Sequence, residues 1–99
     1  MTKNGMRPIH PGEVLREDFL KPLGMSANSL VNKLGVTPAR INEIIREKHG
    51  ITADTALRLA KYFGGSAQFW LNLQSTYELR LAETDDLDFL DDIEPIEYA

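Results

Sequence analysis

Two helical patterns meet across Gly35-Val36-Thr37, and no other feature of the chain limits its fold as much. Upstream, Ser26 is a good N-cap, Leu30, Val31 and Leu34 repeat at helical spacing, and Gly35 suits the position just past a helix end. Downstream, Thr37 is a second cap and Pro38 fits the first helical position. Ile41, Ile44 and Ile45 then form an apolar stripe that predicts a helix ending near Lys48-His49-Gly50. So short a connection forces a sharp angle between the two helices. Leu30, Val31, Leu34, Val36, Ile41 and Ile44 all face inward in that arrangement. It is the geometry of a helix-turn-helix, whose second helix enters a DNA major groove by its N-terminal end.

The rest of the chain reads as helix around this corner. Residues 1–9 look irregular. A first helix is expected from about Pro11 to Lys21, with Val14, Leu15, Phe19 and Leu20 on its apolar side and Pro22 and Gly24 closing it. Thr52 caps a fourth helix, with Ala56, Leu57, Ala60 and Phe63 on one face and Gly64-Gly65 as its stop. Ser66 caps a fifth, running to about Ala82. Sustained apolar–polar alternation is missing, so strands are not expected. The expected fold is all-α, a compact five-helix domain over residues 1–82 followed by an acidic tail over 83–99.

Burying the three isoleucines turns Pro38, Ala39, Asn42, Glu43 and Arg46 outward, with Arg40 at the edge of that face. These groups suit base edges: Arg pairs with guanine, Asn with adenine, Glu accepts from cytosine, and Ala touches a thymine methyl. The capped starts at Ser26 and Thr37 add free backbone N–H groups that favour phosphates. The bland alternative stays open at this point. Many helical bundles contain two short helices joined by a Gly turn, and a mixed-charge face is ordinarily a solvated face.

Net charge is −4, which by itself argues against a nucleic-acid partner. The distribution reverses that impression. Residues 83–99 hold eight acidic and no basic side chains, leaving eleven basic against seven acidic residues, a net +4, in residues 1–82. The chain has no cysteine, which excludes disulfides and thiolate metal sites. No apolar run approaches a membrane span, and Met1 to Gly5 lacks the apolar core of a signal peptide, so a cytoplasmic protein is expected. An enzyme is not expected. His10 and His49 have no acidic or nucleophilic partner at a motif spacing and read as helix-terminal or capping residues. Gly64-Gly65 is a helix stop rather than a phosphate loop. The tail carboxylates lack the order of a calcium loop. No catalytic residue, metal site or cofactor is therefore assigned.

The fifth helix carries more apolar surface than one face needs. Trp70, Leu73 and Tyr77 form a stripe that Leu81 extends, while Phe69, Leu71, Leu79 and Ala82 lie off it. A helix apolar around most of its circumference is covered on more than one side. A two-fold homodimer is the simplest cover, with Phe69, Trp70, Leu71, Leu73, Tyr77 and Leu79 as its interface. Two recognition helices about 34 Å apart would then read a palindrome. In the tail, acidic residues interleave with Leu87, Phe89, Leu90, Ile93 and Ile96. Such a segment is either a disordered solubilising tail or one that docks on a basic surface.

From Met6 to Glu83 the chain resembles the HigA-type antitoxins of bacterial toxin–antitoxin modules, a branch of the Xre/Cro-like helix-turn-helix proteins. The matching words are HPGEVLREDFL (10–20), LGMSANSLVNKLGV (23–36), ARINEIIREKHGIT (39–52), TALRLAKYFGGSAQFWLNLQ (55–74) and TYELRLAE (76–83). The resemblance implies a five-helix Cro/repressor-like domain that binds an operator in double-stranded DNA near its own promoter as a dimer. It also implies a cognate RelE-like toxin neutralised by direct binding. Carried over by position, it places DNA reading on Thr37, Pro38, Ala39, Arg40, Asn42, Glu43 and Arg46, and phosphate anchoring on Ser26, Lys33 and Lys48. Ala27, often a polar amide in the superfamily, departs from the pattern. A stand-alone Xre-family regulator and a protein-binding adaptor with weak DNA binding are the rival readings.

Overall fold

The computed structural model describes residues 7–97; the readings of residues 1–6 lie outside it. Five helices follow one another, and no strand occurs among the described residues. Helix α1 begins with Pro11–Val14, continues through Leu15–Leu20 wound as a π-helix, and closes with Lys21–Leu23. Helix α2 is Ala27–Leu34, α3 is Pro38–Ile45, α4 is Ala53–Phe63 and α5 is Ala67–Glu83. A single 3-10 turn, Asp88–Asp92, follows.

The starts of these helices come from local chemistry. The side chains of Ser26, Thr37, Thr52 and Ser66 each accept a hydrogen bond from the backbone N–H three residues on. Each such cap satisfies one of the donors left unpaired at a helix start. Between α2 and α3, Gly35 adopts φ 69 and its N–H returns to the Val31 carbonyl at 3.0 Å. That left-handed residue ends α2 and lets Thr37 cap α3 two residues later.

Helix α1 runs further than expected, passing through Pro22 to Leu23. In a regular α-helix the proline ring would crowd the carbonyl four residues back. The π-wound segment lies immediately ahead of it, with the Lys21 N–H donating to the Arg16 carbonyl. A widened turn is one of the ways a helix absorbs such an interruption.

The core gathers one or more side chains from every helix. Leu15 and Leu20 meet Leu30, Val31, Leu34, Ile41, Ile44, Ile51, Ala56, Leu59 and Trp70. Phe19 closes one side, its ring centroid 4.9 Å from that of Phe63 and 5.0 Å from that of Trp70. On α4 the buried face is Thr55, Ala56 and Leu59, with Phe63 half-buried beyond them. Leu57, expected on that face, is instead exposed. Ala56, Leu59 and Phe63 keep the three- and four-residue spacing of one helical stripe, and Leu57 stands about 100° round from Ala56. No helix among the described residues is long and apolar enough to cross a membrane.

Candidate nucleic-acid interface

Helix α3 sits with Ile41 and Ile44 fully buried and its opposite side open. Thr37, Pro38, Ala39, Glu43 and Arg46 are exposed, and Arg40 and Asn42 are half-buried at the edges. The Thr37 hydroxyl accepts from the Arg40 N–H at 3.2 Å, and the Thr37 carbonyl accepts from the Ile41 N–H at 3.3 Å. With Pro38 lacking an N–H, the Ala39 N–H is the first-turn donor left over at the positive end of the α3 dipole. Helix α2 presents a second capped start, with Ser26 accepting from the Ser29 N–H at 3.1 Å. Lys33, near the end of α2, and Lys48, beyond the end of α3, are both exposed.

The cations sort into two groups. Arg7, Arg16, Lys21 and Arg58 are held in salt bridges. Among the described residues no salt bridge holds Lys33, Arg40, Arg46 or Lys48. The cations left over by the protein's own pairing thus include all four expected to meet DNA. An unpaired cation gives up only water and counterions when it meets a phosphate or a base edge.

The Helix-turn-helix family pattern matches residues 17–70. Virulence-associated protein I of Dichelobacter nodosus is 64% identical over 83 residues, spanning 84% of this chain and 77% of that protein. Antitoxin HigA-1 of Vibrio cholerae is 34% identical over 79 residues, 80% of this chain and 74% of that one. The solved structure of the Pseudomonas aeruginosa antitoxin HigA with the higBA promoter shares 47% identity. It superposes with a TM-score of 0.86 over 92% of this chain and all of that one. The chain belongs to the HigA-type branch of the helix-turn-helix family.

Within this helix-turn-helix the recognition helix ends earlier than the sequence suggests. Helix α3 stops at Ile45, not near Gly50, because Glu47 takes a left-handed conformation, φ 65. The Glu47 N–H donates to the Ile44 carbonyl at 2.9 Å and the Lys48 N–H to the Glu43 carbonyl at 2.7 Å. That pair of bonds is the Schellman ending, here with a glutamate where glycine is usual. Arg46 and Lys48 therefore lie on a turn at the end of the helix rather than along its barrel.

The ends of α2 and α3 are each tied by an arginine from another helix. Arg58 of α4 donates to the Leu34 carbonyl at 2.8 Å and pairs with Asp54 at 3.0 Å. Arg16 of α1 donates to the Ile45 carbonyl at 2.6 Å and to Glu47 at 3.2 Å, and its Nε reaches Glu17 at 2.9 Å. Both satisfy carbonyls that a helix C-terminus leaves without partners.

The start of the HPGE word lies beneath this end of α3. A Cβ at Gly12 would collide with the Ile44 carbonyl oxygen, so only glycine permits the approach. His10 is the N-cap of α1: its Nδ1 accepts the Gly12 N–H at 2.8 Å, as the capping reading of this residue expects. The His10 ring is buried and meets the Tyr77 ring edge-on at 4.8 Å. Burial holds its pKa below the ordinary histidine value; the nearby Glu47 carboxylate opposes this and the Arg16 charge adds to it. His49 is half-buried, with Nδ1 2.7 Å from the Gly50 carbonyl oxygen.

The residues assigned to a dimer interface divide. Trp70 is 1% exposed, packed by Phe19 and Phe69, and has no surface left to offer a second chain. The stripe that begins with it faces the chain's own core as far as Tyr77, while Leu81, expected to extend it, is exposed. Leu71 and Leu73 pack partly against that core, and Tyr77 lies on His10. Phe69 and Leu79 remain open, 43% and 62% exposed. Arg16, Glu47, Gly12 and Arg58 carry no signal of these roles in the sequence. Their roles depend on partners that are distant in sequence, 31 positions away for Arg16 and Glu47, and no spacing rule connects them.

Proposed function

We propose that the protein is a sequence-specific DNA-binding repressor serving as the antitoxin of a HigB/HigA-type module, autoregulating its operon. In this reading residues 1–82 form the DNA-binding domain and α3 lies in the major groove. Arg40, Asn42, Glu43 and Arg46 face base edges there, with Thr37, Pro38 and Ala39 at the entering end. Ser26, Lys33 and Lys48 meet the flanking phosphates. Two copies join through the apolar side of α5 that includes Phe69 and Leu79, and bind a palindromic operator. A RelE-like toxin is the protein partner; the protein acts by binding, in the cytoplasm, without a cofactor.

The observation that carries this reading is the outward face of α3, whose cations are unpaired while Ile41 and Ile44 are locked in the core and Ile45, expected to be buried with them, is half-buried against it. The P. aeruginosa relative, solved with the higBA promoter, supports the same role at 47% identity. The test is a gel shift against DNA from upstream of the protein's own gene. Arg46→Ala, if it reads a base, weakens binding by about 1–3 kcal/mol and relaxes specificity at one base pair, with helical content unchanged. Unchanged affinity in both Arg40→Ala and Arg46→Ala would sink the assignment. Expressed in the native host, the protein should carry a small basic partner through purification. Tight operator binding without one would point to a stand-alone regulator.

A further inference from the structure

We infer that Arg16, on a helix that is no part of the helix-turn-helix, is a positioning residue for DNA recognition. It fixes where the recognition helix ends. The inference rests on the reading of α3 as the DNA-reading helix. Three observations combine. First, α3 ends through a glutamate in the left-handed region, a conformation that disfavours a residue with a Cβ. Such a turn persists when its surroundings over-determine it. Second, Arg16 supplies that determination, bridging the Ile45 carbonyl and the Glu47 carboxylate with two nitrogens of one planar guanidinium. Third, two cations assigned to DNA, Arg46 and Lys48, flank Glu47 directly, so the backbone path through residue 47 decides where each of them points.

Arg16 itself is poorly placed to touch DNA as a free cation. Its Nε, Nη1 and Nη2 are each already engaged, with Glu17, Ile45 and Glu47. Its action is therefore through the turn. Without it, Glu47 is free to leave the left-handed region and α3 can lengthen toward Gly50, carrying Arg46 and Lys48 round the helix axis. A binding site loses much of its affinity when its contacting groups are even slightly misdirected.

The test is operator binding as a function of salt, with folding followed by circular dichroism. Arg16→Ala should bind about tenfold more weakly than the parent. The slope of affinity against salt should not change, because no phosphate contact is lost. Glu47→Gly in the Arg16→Ala background should recover most of the affinity, since glycine holds the left-handed turn without a tether. Where Arg16→Ala is unfolded at the assay temperature, Arg16→Lys takes its place. It keeps the charge but lacks the fork that spans both acceptors, so it should also bind more weakly. Affinity within twofold of the parent, a salt slope reduced by about one, or no recovery in the double variant would each overturn the inference. Arg46→Ala, run alongside, separates the two levels. If it weakens binding and Arg16→Ala does not, the positioning role fails alone. If neither does, the recognition-helix reading fails with it.

Discussion

The stretch from His10 to Trp70 and the stretch from Leu71 to Glu97 follow opposite rules. All eleven buried side chains of the hydrophobic core lie in the first, and no described residue of the second is fully buried. The first stretch is closed: its helix starts are capped by Ser26, Thr37, Thr52 and Ser66, and its two recognition-motif ends are tied by Arg16 and Arg58. The second is open: Leu79, Leu81, Phe89, Leu90, Ile93 and Ile96 stand in solvent among carboxylates. The contrast shows how a 99-residue chain divides its limited apolar material. One part holds a helix rigidly at the surface, and the other, together with Phe69 just ahead of it, leaves apolar groups available for association.

Folding stability of the separated chain, read from urea unfolding, sharpens the contrast most at its extremes. Ile44→Ala should cost about 2–5 kcal/mol, because the side chain is fully buried beneath α3. Leu79→Ala should stay within about 0.5 kcal/mol. Comparable losses at the two sites would erase the distinction between closed and open regions. Thr37→Ala should cost about 1 kcal/mol through its lost cap, a loss that Thr37→Ser should largely avoid.

A smaller effect follows from His10. Its folded pKa lies below that of the unfolded chain, about 6.5, so near and below that pH the unfolded chain binds more protons. The stability this group contributes is therefore complete above about pH 6.5 and is lost as pH falls below it. Protonating Nδ1 also removes the acceptor of the Gly12 N–H. Unfolding midpoints should fall on acidification in the parent and fall less in His10→Asn, which keeps a capping oxygen that does not titrate there. Identical pH profiles would dissociate His10 from the effect. The smallest change in chain stability belongs to Leu79→Glu, yet its sedimentation should show the largest change in mass, from a dimer toward one chain of 11.2 kDa. A parent protein that sediments as a monomer at micromolar concentration would remove the interface proposal.

The parts of the fold that could be read from the residues are those set by neighbours in sequence. Ser26, Thr37, Thr52 and Ser66 cap the helices they were expected to cap, because capping involves only the next three residues. The corner at Gly35 and the burial of Ile41 and Ile44 follow equally from local spacing. The outward set on α3 is the remainder of that face, so the exposure of Pro38, Ala39, Glu43 and Arg46 was legible too, whereas Asn42, expected outward, is half-buried at its edge. What could not be read depends on distant chain. Glycine at 50 looked like the stop of α3, but residue 16 holds the stop at residue 47. Pro22 looked like an end, but the π-wound turn upstream carries α1 past it. Trp70 looked like interface because periodicity says which side chains share a face and leaves open which face the rest of the chain takes.

Trp70 is the sole indole of the molecule, enclosed by Phe19 and Phe69 on the closed side of the divide. Its emission should be blue-shifted and inaccessible to iodide while the chain is folded, and should move red only when the packing around it opens. The surface of α3 and the acidic tail lie outside that enclosure. The protein thus carries a built-in optical reporter of unfolding that should stay silent when DNA binds and when the tail is removed.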